Sequence, residues 1–423
     1  MAAGLAACGS SGGKSEAGAS SASPGGAVTG QTIKVMLSEE PSSGDAFGTA
    51  LKAWEKETGN KVNIMVIPYD DQLTKFPSMA KNNDLPDLVA TTRLHQLYPK
   101  EFTDLGKVVD TSKFEGTALK IVGKDYNSDK ITGLTLQYTI TNMYYNKDAF
   151  KKAGLQAPAA GSPWTWDQLY ENAAALQSKG GVKYGFAADV SRARYDILMY
   201  ANGGSLVQKD GDKFTITVNS QQNIKTLESF IQANQKVMPK ALWSGGTTDN
   251  PADYFMNGDV GIYLSGSWNY SKFSTSIKNF EMGVMPTPKG STGSAAIIGG
   301  AAVAVPEKAK NKAAAESFVK WLYEPKNFQT YLNNDKGLSA LKDVVYQPSD
   351  DKAKQDYAVL QAEVKSIPDA FMIDESSAWR TYLDNEYRDS IKKAVAGEVS
   401  AKQALDDFAK ALAKKSGWTI KGN

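Results

Sequence analysis

The sequence has little of the chemistry on which many enzymes and metal-binding proteins depend. Its 423 residues contain one cysteine, Cys8, and one histidine, His95. A single cysteine excludes an internal disulfide, and a single histidine leaves few ways to build common metal sites or a Ser-His-Asp triad. No apolar run approaches about 18 residues, so the sequence predicts no membrane-spanning helix.

An excess of charge of one sign is also missing. The 48 basic and 46 acidic residues give a net charge of +2 and are dispersed along the chain. Nucleic acid is therefore not expected as a partner. Aromatic residues are abundant instead, with 8 Trp, 19 Tyr and 15 Phe. Most aromatic side chains pack in cores, but this number also suits a protein that binds ligands with flat faces and polar edges.

Hydrophobic periodicity after residue 31 predicts an α/β fold. Apolar runs at 32–37, 62–67 and 88–90 indicate strands, and the spacing of apolar residues over 45–58 indicates a helix. Gly59 is placed to end that helix. Strands that alternate with helices predict a largely parallel sheet.

The later part of the chain continues the same pattern. Thr165 with Gln168 and Ser400 with Gln403 have the spacing of capping boxes, so a helix is expected to start at each. Further strands are predicted at 260–264 and 301–305. A chain of this length exceeds the usual size of one hydrophobic core, so two domains are expected.

The sequence around Cys8 resembles the start of bacterial lipoproteins. Cys8 follows Leu5-Ala6-Ala7, and residues 9–30 are almost wholly Gly, Ser and Ala, a composition typical of a flexible linker. The resemblance implies a body tethered by a lipid on Cys8 to the outer face of a Gram-positive membrane. Seven residues before Cys8 are too few for a complete signal peptide, and the alternative is a chance motif beside a flexible terminus.

Several motifs occur in an order that resembles one protein family, the extracellular solute-binding proteins of ABC importers, which include maltose-binding protein. In one of them, Gly266–Trp268, Ser267 stands where the family has proline. Together they cover most of the chain after residue 31. The main matches are Met143–Phe150, Thr165–Leu169, Phe255–Gly258, Gly266–Trp268 and Met285–Gly290.

The resemblance implies two α/β lobes joined by crossing segments, with solute bound in the cleft between them. Hinge closure would create the surface that a permease recognises. We expect a monomer without cofactor that captures an oligosaccharide for an ABC transporter. The expected parts are an anchor and linker at 1–30, a first lobe at 31–138 plus 281–325, and a second lobe at 139–280 plus 326–423.

Trp268 is the first candidate for ligand binding. It occupies the position of the family's Gly-Pro-Trp tryptophan, which the resemblance implies stacks on a sugar ring. The neighbouring Asn269 is suited to hydrogen bonding with sugar hydroxyls. The alternatives are a core tryptophan and a turn-capping asparagine.

Five further candidates follow predicted strands or precede a crossing. Ser38 and Glu40 follow the first strand and His95 follows the third, and ligand sites form at the carboxyl ends of strands in open α/β sheets. Gln137 and Tyr138 precede the first expected crossing. The alternatives are exposed loop acids, a structural histidine and strand packing.

Two more candidates come from the later motifs. Asp253 lies just before Phe255, where the alternative is a favourable charge at a helix N-terminus. Trp379 falls in the region where the resemblance implies a second stacking aromatic. Trp243 and Tyr195 are weaker candidates and are expected to pack in the core.

Other functional classes fit the sequence less well. Gly13–Ser15 lacks the glycine five residues earlier that a P-loop needs. A glycosidase requires only a pair of carboxylates, for which Glu39, Glu40, Asp374 and Glu375 are available. A secreted carbohydrate-active enzyme and a receptor for a peptide or another non-sugar solute remain the alternatives, and a metal receptor is the least favoured.

Overall fold

The computed structural model describes residues 28–41, 44–91, 94–124 and 129–422. The predicted lipidation residue Cys8 and most of the predicted linker lie outside these ranges. Within them, no helix combines the length and the apolar composition that crossing a membrane requires.

The described residues form a mixed α/β structure. The strands are β1 Thr32–Leu37, β2 Lys61–Val66, β3 Leu88–Thr91, β4 Leu134–Thr135, β5 Thr139–Asn146, β6 Tyr184–Ala188, β7 Val207–Asp210, β8 Lys213–Ile216, β9 Val260–Gly266, β10 Met282–Met285, β11 Ile298–Gly299, β12 Ala302–Ala304 and β13 Thr419–Ile420. The helices are α1 Ala46–Thr58, α2 Tyr69–Lys81, α3 Leu94–Leu97, α4 Gly116–Ala118, α5 Lys147–Ala153, α6 Trp166–Lys179, α7 Arg192–Ala201, α8 Gln221–Val237, α9 Lys240–Ser244, α10 Pro251–Met256, α11 Asn269–Ser276, α12 Lys312–Leu322, α13 Pro325–Asp335, α14 Asp351–Glu363, α15 Asp369–Ser376, α16 Arg380–Ala396 and α17 Ala401–Ser416.

Local sequence signals account for several of these boundaries, and the predicted elements named above are confirmed within one to three residues. Helix α1 ends at Gly59, which adopts the left-handed conformation at φ +73°. The capping box of α6 is present in both directions, since Thr165 and Gln168 each bond the other's backbone. At α17, Ser400 Oγ accepts a hydrogen bond from Gln403 N at 3.1 Å.

The first sheet has the strand order β2-β1-β3-β12-β4. Strand β1 is parallel to β2 and β3, whereas β12 is antiparallel to both β3 and β4. Helices α1 and α12 pack against this sheet, and α13 packs on α1. We call these elements, with α2 and α3, the first lobe.

The second sheet has the strand order β10-β5-β9-β6. Strand β6 is parallel to β9, and β5 is antiparallel to both β9 and β10. Both main sheets are therefore mixed, and the prediction of a largely parallel sheet is wrong, because strands that return through the crossing segments pair antiparallel. Helices α6, α8, α10 and α14 pack on this sheet, while α16 and α17 pack on α8 beside a small third sheet of order β13-β8-β7. We call these elements, with α7 and α11, the second lobe.

Within the described ranges, three segments connect the lobes. Two of them run antiparallel to each other, from β4 to β5 and from β11 to β12. They are joined by backbone hydrogen bonds from Leu136 N to Ala301 O at 2.8 Å and from Thr141 N to Ile297 O at 3.0 Å. The third segment, residues 336–350, connects α13 to α14.

The packing differs from the expected lobe boundaries at two places. Strand β10 was expected in the first lobe, but its backbone pairs with β5 of the second sheet, with Met282 opposite Asn146. Helix α13 was expected in the second lobe but packs on α1. Its Phe328 ring stacks on Tyr323, whose hydroxyl donates to Leu134 O of the first sheet at 3.0 Å.

Candidate functional site

The candidate site is built where two parallel strands of the second lobe end side by side. Asp189 directly follows β6, and Trp268 follows β9 by two residues. The backbone N of Asp189 donates to Leu264 O at 3.1 Å, which fixes one strand end against the other. Ligand sites in open α/β sheets form at this edge.

Trp268 combines an exposed surface with a fixed orientation. It is 37% exposed, unlike most large hydrophobic residues of the described chain. Its ring lies so close to Gly266 that a Cβ there would come within 1.8 Å of ring atom Cζ3, so only glycine fits beneath it. The guanidinium of Arg194 lies 4.9 Å from the ring centroid, a cation–π distance.

A hydrogen-bond network centred on Asp189 supports this tryptophan. Asp189 Oδ2 accepts from Arg194 Nε at 3.0 Å and from Ser265 Oγ at 2.8 Å, and Oδ1 accepts from the Tyr263 hydroxyl. Asn269 Nδ2 donates to Ser265 Oγ at 2.9 Å, which connects the residue after Trp268 to the same network. Burial, together with the charge of Asp189, raises the pKa of the Tyr263 hydroxyl, so it remains a donor.

A buried ionic cluster lies at the start of α7. Arg192 bonds Asp196 within its own helix and reaches Asp384 Oδ1 at 3.1 Å. Arg380 Nε contacts the same Asp384 oxygen at 3.2 Å, and both guanidinium groups also contact Glu375. Because Arg192 and Arg194 lie in one helical turn, the cluster and the Trp268 network share a rigid support.

A cavity of about 200 Å³ separates this cluster from the first lobe. The first lobe contributes Leu73, Leu97 and Tyr98, and the start of α16 contributes polar side chains that include Arg380. Tyr382, also on α16, lines the cavity and is 39% exposed. The cavity therefore lies in the cleft between the lobes, and its lining combines the aromatic side chains of Tyr98 and Tyr382 with polar and charged side chains of α16.

The structure places Trp268 and Asn269 together at this edge. Ser38 and Glu40 follow β1, where Glu40 is exposed and Ser38 Oγ accepts from Gln72 Nε2 at 3.0 Å. Gln72 adjoins Leu73 in α2, so the loop after β1 belongs to the first-lobe side of the cleft. These four residues remain candidates.

His95 and Trp379 do not belong to the candidate site. His95 is fully buried, and its Nε2 lies 2.6 Å from Val122 O, so its ring serves the packing of the first lobe. Trp379 is also fully buried. One face meets Arg192 at 4.9 Å, and the ring packs edge-on against Tyr387, which leaves no face for a sugar.

Gln137, Tyr138 and Asp253 also have structural positions. Gln137 Nε2 donates to Asp335 Oδ1 at 2.8 Å, which ties the crossing segment to the end of α13. Tyr138 is buried and pairs through its backbone with Leu338. Asp253 is exposed in the first turn of α10, which precedes β9 and so lies at the sheet edge opposite Trp268.

The charged residues that hold the site together were not predicted from the sequence. Asp189, Arg192 and Arg194 follow a strand, β6, that was not predicted, although their position after the apolar run Tyr184–Ala188 was a usable signal. Tyr382 lies three residues from the predicted Trp379, and only packing distinguishes the two. The weaker candidates Trp243 and Tyr195 are fully buried, as expected. No cluster of His, Cys, Asp or Glu arranged for a metal ion occurs among the described residues.

Known proteins resemble this chain over about half to nearly all of its length. The galactooligosaccharide-binding protein of Bacillus subtilis is 24% identical, with 96% of this chain and 92% of that protein aligned. The sn-glycerol-3-phosphate-binding periplasmic protein UgpB of Pectobacterium atrosepticum is 29% identical over 57% of this chain and 54% of its own.

A solved structure has the same fold. An ABC substrate-binding protein from Listeria monocytogenes in complex with cycloalternan superimposes with a TM-score of 0.73 at 21% identity, covering 92% of this chain and all of that one. The two-lobed periplasmic-binding-protein fold predicted from the sequence is thus confirmed. Residues 38–327 match the model of the bacterial extracellular solute-binding protein family. This range includes the second sheet, the first sheet except β1, and the site at Trp268. The chain belongs to this family of solute-binding proteins.

Proposed function

We propose that the protein captures an extracellular oligosaccharide in the cleft between its lobes and delivers it to an ABC transporter permease. The observation that carries the proposal is Trp268, an exposed ring fixed by Gly266 and Arg194 at the carboxyl end of β9. A sugar presents apolar C–H groups that stack on such a ring, while Asn269 and Asp189 offer polar atoms to its hydroxyls.

The ligand is proposed to bridge both lobes. Tyr98 and Leu73 face the cavity from the first lobe, and Tyr382 and Arg380 face it from the second. A solute that contacts both sides binds the closed form better than the open form and shifts the equilibrium toward closure. The proposed first lobe comprises the described residues of 28–138 plus 300–342, and the proposed second lobe comprises 139–299 plus 343–422. The strand pairing and helix packing support this division.

We also propose that the protein acts without covalent chemistry, as a lipid-anchored monomer on the outer face of the cell membrane of a Gram-positive bacterium. The anchoring proposal rests on Leu5-Ala6-Ala7-Cys8 and the linker-like sequence after it. Metabolic labelling with a palmitate analogue in an expressing bacterium checks it, with Cys8→Ala as the unlabelled control. Sedimentation velocity checks the oligomeric state.

The experiment that tests the proposed function is a thermal-shift screen followed by calorimetry. Mono- and oligosaccharides are compared with peptides and amino acids, since a ligand that binds only the folded state raises Tm. A shift with one glycan class supports the proposal and identifies the class. A response to peptides alone, or glycan cleavage seen by chromatography after incubation, overturns it.

A further inference from the structure

The three arginines of the candidate site are already matched by carboxylates of the protein. Arg194 Nε bonds Asp189 at 3.0 Å while its flat face covers Trp268 at 4.9 Å. Arg192 and Arg380 share Asp384 at 3.1 and 3.2 Å and both contact Glu375. Each guanidinium group is therefore already paired with at least one carboxylate of the protein, and in Arg192 all three nitrogens bond carboxylates.

The ion-paired cluster and the cavity lining contain more acidic than basic side chains among the described residues. Three guanidinium groups face four carboxylates, those of Asp189, Asp196, Glu375 and Asp384. Among the described residues that line the cavity, Arg380 is the one cation, whereas Asp384 and Glu386 are acidic. Glu39 and Glu40 add two exposed carboxylates after β1, on the opposite side.

This arrangement offers an anionic ligand no positive charge that is not already paired with a carboxylate of the protein. Proteins bind phosphate and carboxylate groups with guanidinium forks or helix N-termini whose donors point at the ligand. Here a phosphate would have to displace an internal carboxylate from an arginine and leave that carboxylate buried without its partner, which is costly. Sugar hydroxyls, by contrast, donate to carboxylates and stack beside them without any change in charge.

We propose that the cleft selects uncharged polyhydroxylated ligands and excludes phosphorylated ones, with Asp189 and Asp384 as the residues that enforce the exclusion. This inference rests on the proposed function and narrows its substrate class. It separates this chain from its sn-glycerol-3-phosphate-binding relatives, to which it is 29% identical over about half its length.

Calorimetry with neutral and anionic probes tests the exclusion. The neutral probes are maltotriose, mannotriose and a galactosyl trisaccharide, and the anionic probes are sn-glycerol 3-phosphate and glucose 6-phosphate. We expect at least one trisaccharide to bind, with a Kd that changes less than about twofold between 20 and 500 mM NaCl, because a neutral ligand is insensitive to screening. We expect no anionic probe to bind at 1 mM.

Removing one carboxylate tests the assigned residues. Asp189→Asn is expected to bind sn-glycerol 3-phosphate measurably at 1 mM, where the wild type does not, since Arg194 then lacks its countercharge. Asp384→Asn tests the second cluster in the same way should Asp189→Asn fail to fold. The matched control is Asp407→Asn, an exposed carboxylate on α17 that is 3.9 Å from Lys410, which should gain nothing.

The outcomes separate this inference from the proposed function. Trisaccharide binding together with equally tight binding of either phosphate ester overturns the exclusion and leaves the sugar receptor standing. Binding of a phosphate ester without any neutral sugar overturns both. Equal affinities of both Asn variants and the control for the anionic probe show that these carboxylates do not enforce the exclusion.

Discussion

At the scale of single residues, the candidate site depends on what each aromatic ring touches. Trp268 and Trp379 each have an arginine on one face, at 4.9 Å. Trp268 lies over Gly266 and keeps an open surface, whereas Trp379 is enclosed by Tyr387 and Phe408. The same cation–π contact therefore supports a binding surface in one case and a core in the other.

Replacing Trp268 by alanine is expected to weaken sugar binding at least tenfold, about 1.4 kcal/mol, because the stacking surface is lost. Isothermal titration calorimetry measures the change. The fold should survive, since the side chain is 37% exposed. Trp321→Ala is the control, a half-buried tryptophan on α12 whose Nε1 bonds Glu57 at 2.9 Å. Equal affinity of the two folded variants would show that Trp268 does not contact the ligand.

A buried carboxyl in the second lobe predicts how stability depends on pH. Burial raises the pKa of Glu363 from 4.5 to about 7, while Thr287 Oγ1 donates to its Oε2. The folded state then holds a proton that the unfolded state has released, so stability falls as pH rises from about 4.5 to about 7 and stays low above that range.

Glu363→Gln keeps an acceptor for Thr287 without the charge. The variant should lose part of this decline, on the order of 2–3 kcal/mol between pH 4.5 and pH 8. Urea unfolding of both proteins at several pH values measures it. The exposed Glu171→Gln on α6 should retain the wild-type slope. A parallel pH dependence of Glu363→Gln and wild type would contradict the assignment.

At the scale of elements, the lobes are joined by a pair of antiparallel crossing segments. Gly300 lies in this pair at φ +147°, where an added Cβ would lie 1.8 Å from Gln137 O. Its neighbour Gly299 would bring a Cβ no nearer than 3.8 Å to Thr139 Oγ1. Gly300 is thus required because another backbone approaches it closely, whereas Gly299 is not required for that reason.

Gly300→Ala is expected to destabilise the protein by about 2–4 kcal/mol, because the backbones of the crossing must separate and the residue is strained at positive φ. Gly299→Ala should change stability by less than about 1 kcal/mol. Thermal and urea unfolding of both variants give the comparison. Similar losses in both would mean that the crossing pair accommodates a side chain at Gly300.

At the scale of the whole molecule, the candidate site is shared between two lobes, which are connected by three segments of the described chain. Gln137 of the crossing bonds Asp335 at the end of α13, and burial raises the pKa of that carboxyl to about 6. Ser271 Oγ of α11, the helix that starts after Trp268, donates to Asn334 O of α13 at 2.9 Å. The crossing segment is therefore connected through α13 to α11, the helix that directly follows Trp268.

Ligand binding is expected to make the protein more compact, because a solute that contacts both lobes favours closure. Small-angle X-ray scattering at saturating ligand should show a smaller radius of gyration than without ligand. The Trp268→Ala variant should become more compact only at a ligand concentration that is raised in proportion to its weaker affinity. A sugar that gives no shift in the thermal-shift screen should leave the scattering of the wild-type protein unchanged. Unchanged scattering with a saturating, calorimetrically verified ligand would contradict hinge closure.

The sequence by itself determined the local features. Periodicity gave β1 and α1, Gly59 and the Thr165–Gln168 box set helix ends, and the order of motifs predicted the family and the two-lobed fold. These depend on residues close in the chain or on the order of short segments, so a linear reading recovers them. Trp268 was found because it occupies the tryptophan position of the family's Gly-Pro-Trp motif, just past the end of a predicted strand.

Only the tertiary structure decided which side chains share the cleft. The sequence grouped His95 and Trp379 with Trp268, but packing encloses both, while Asp189 and Arg194 join Trp268 from more than 70 residues away. Exposure and charge pairing depend on contacts between segments that are distant in the chain, and hydrophobic periodicity does not reveal those contacts. The lobe assignments of β10 and α13 were wrong for the same reason, because they depend on pairing with β5 and packing on α1, which lie elsewhere in the chain.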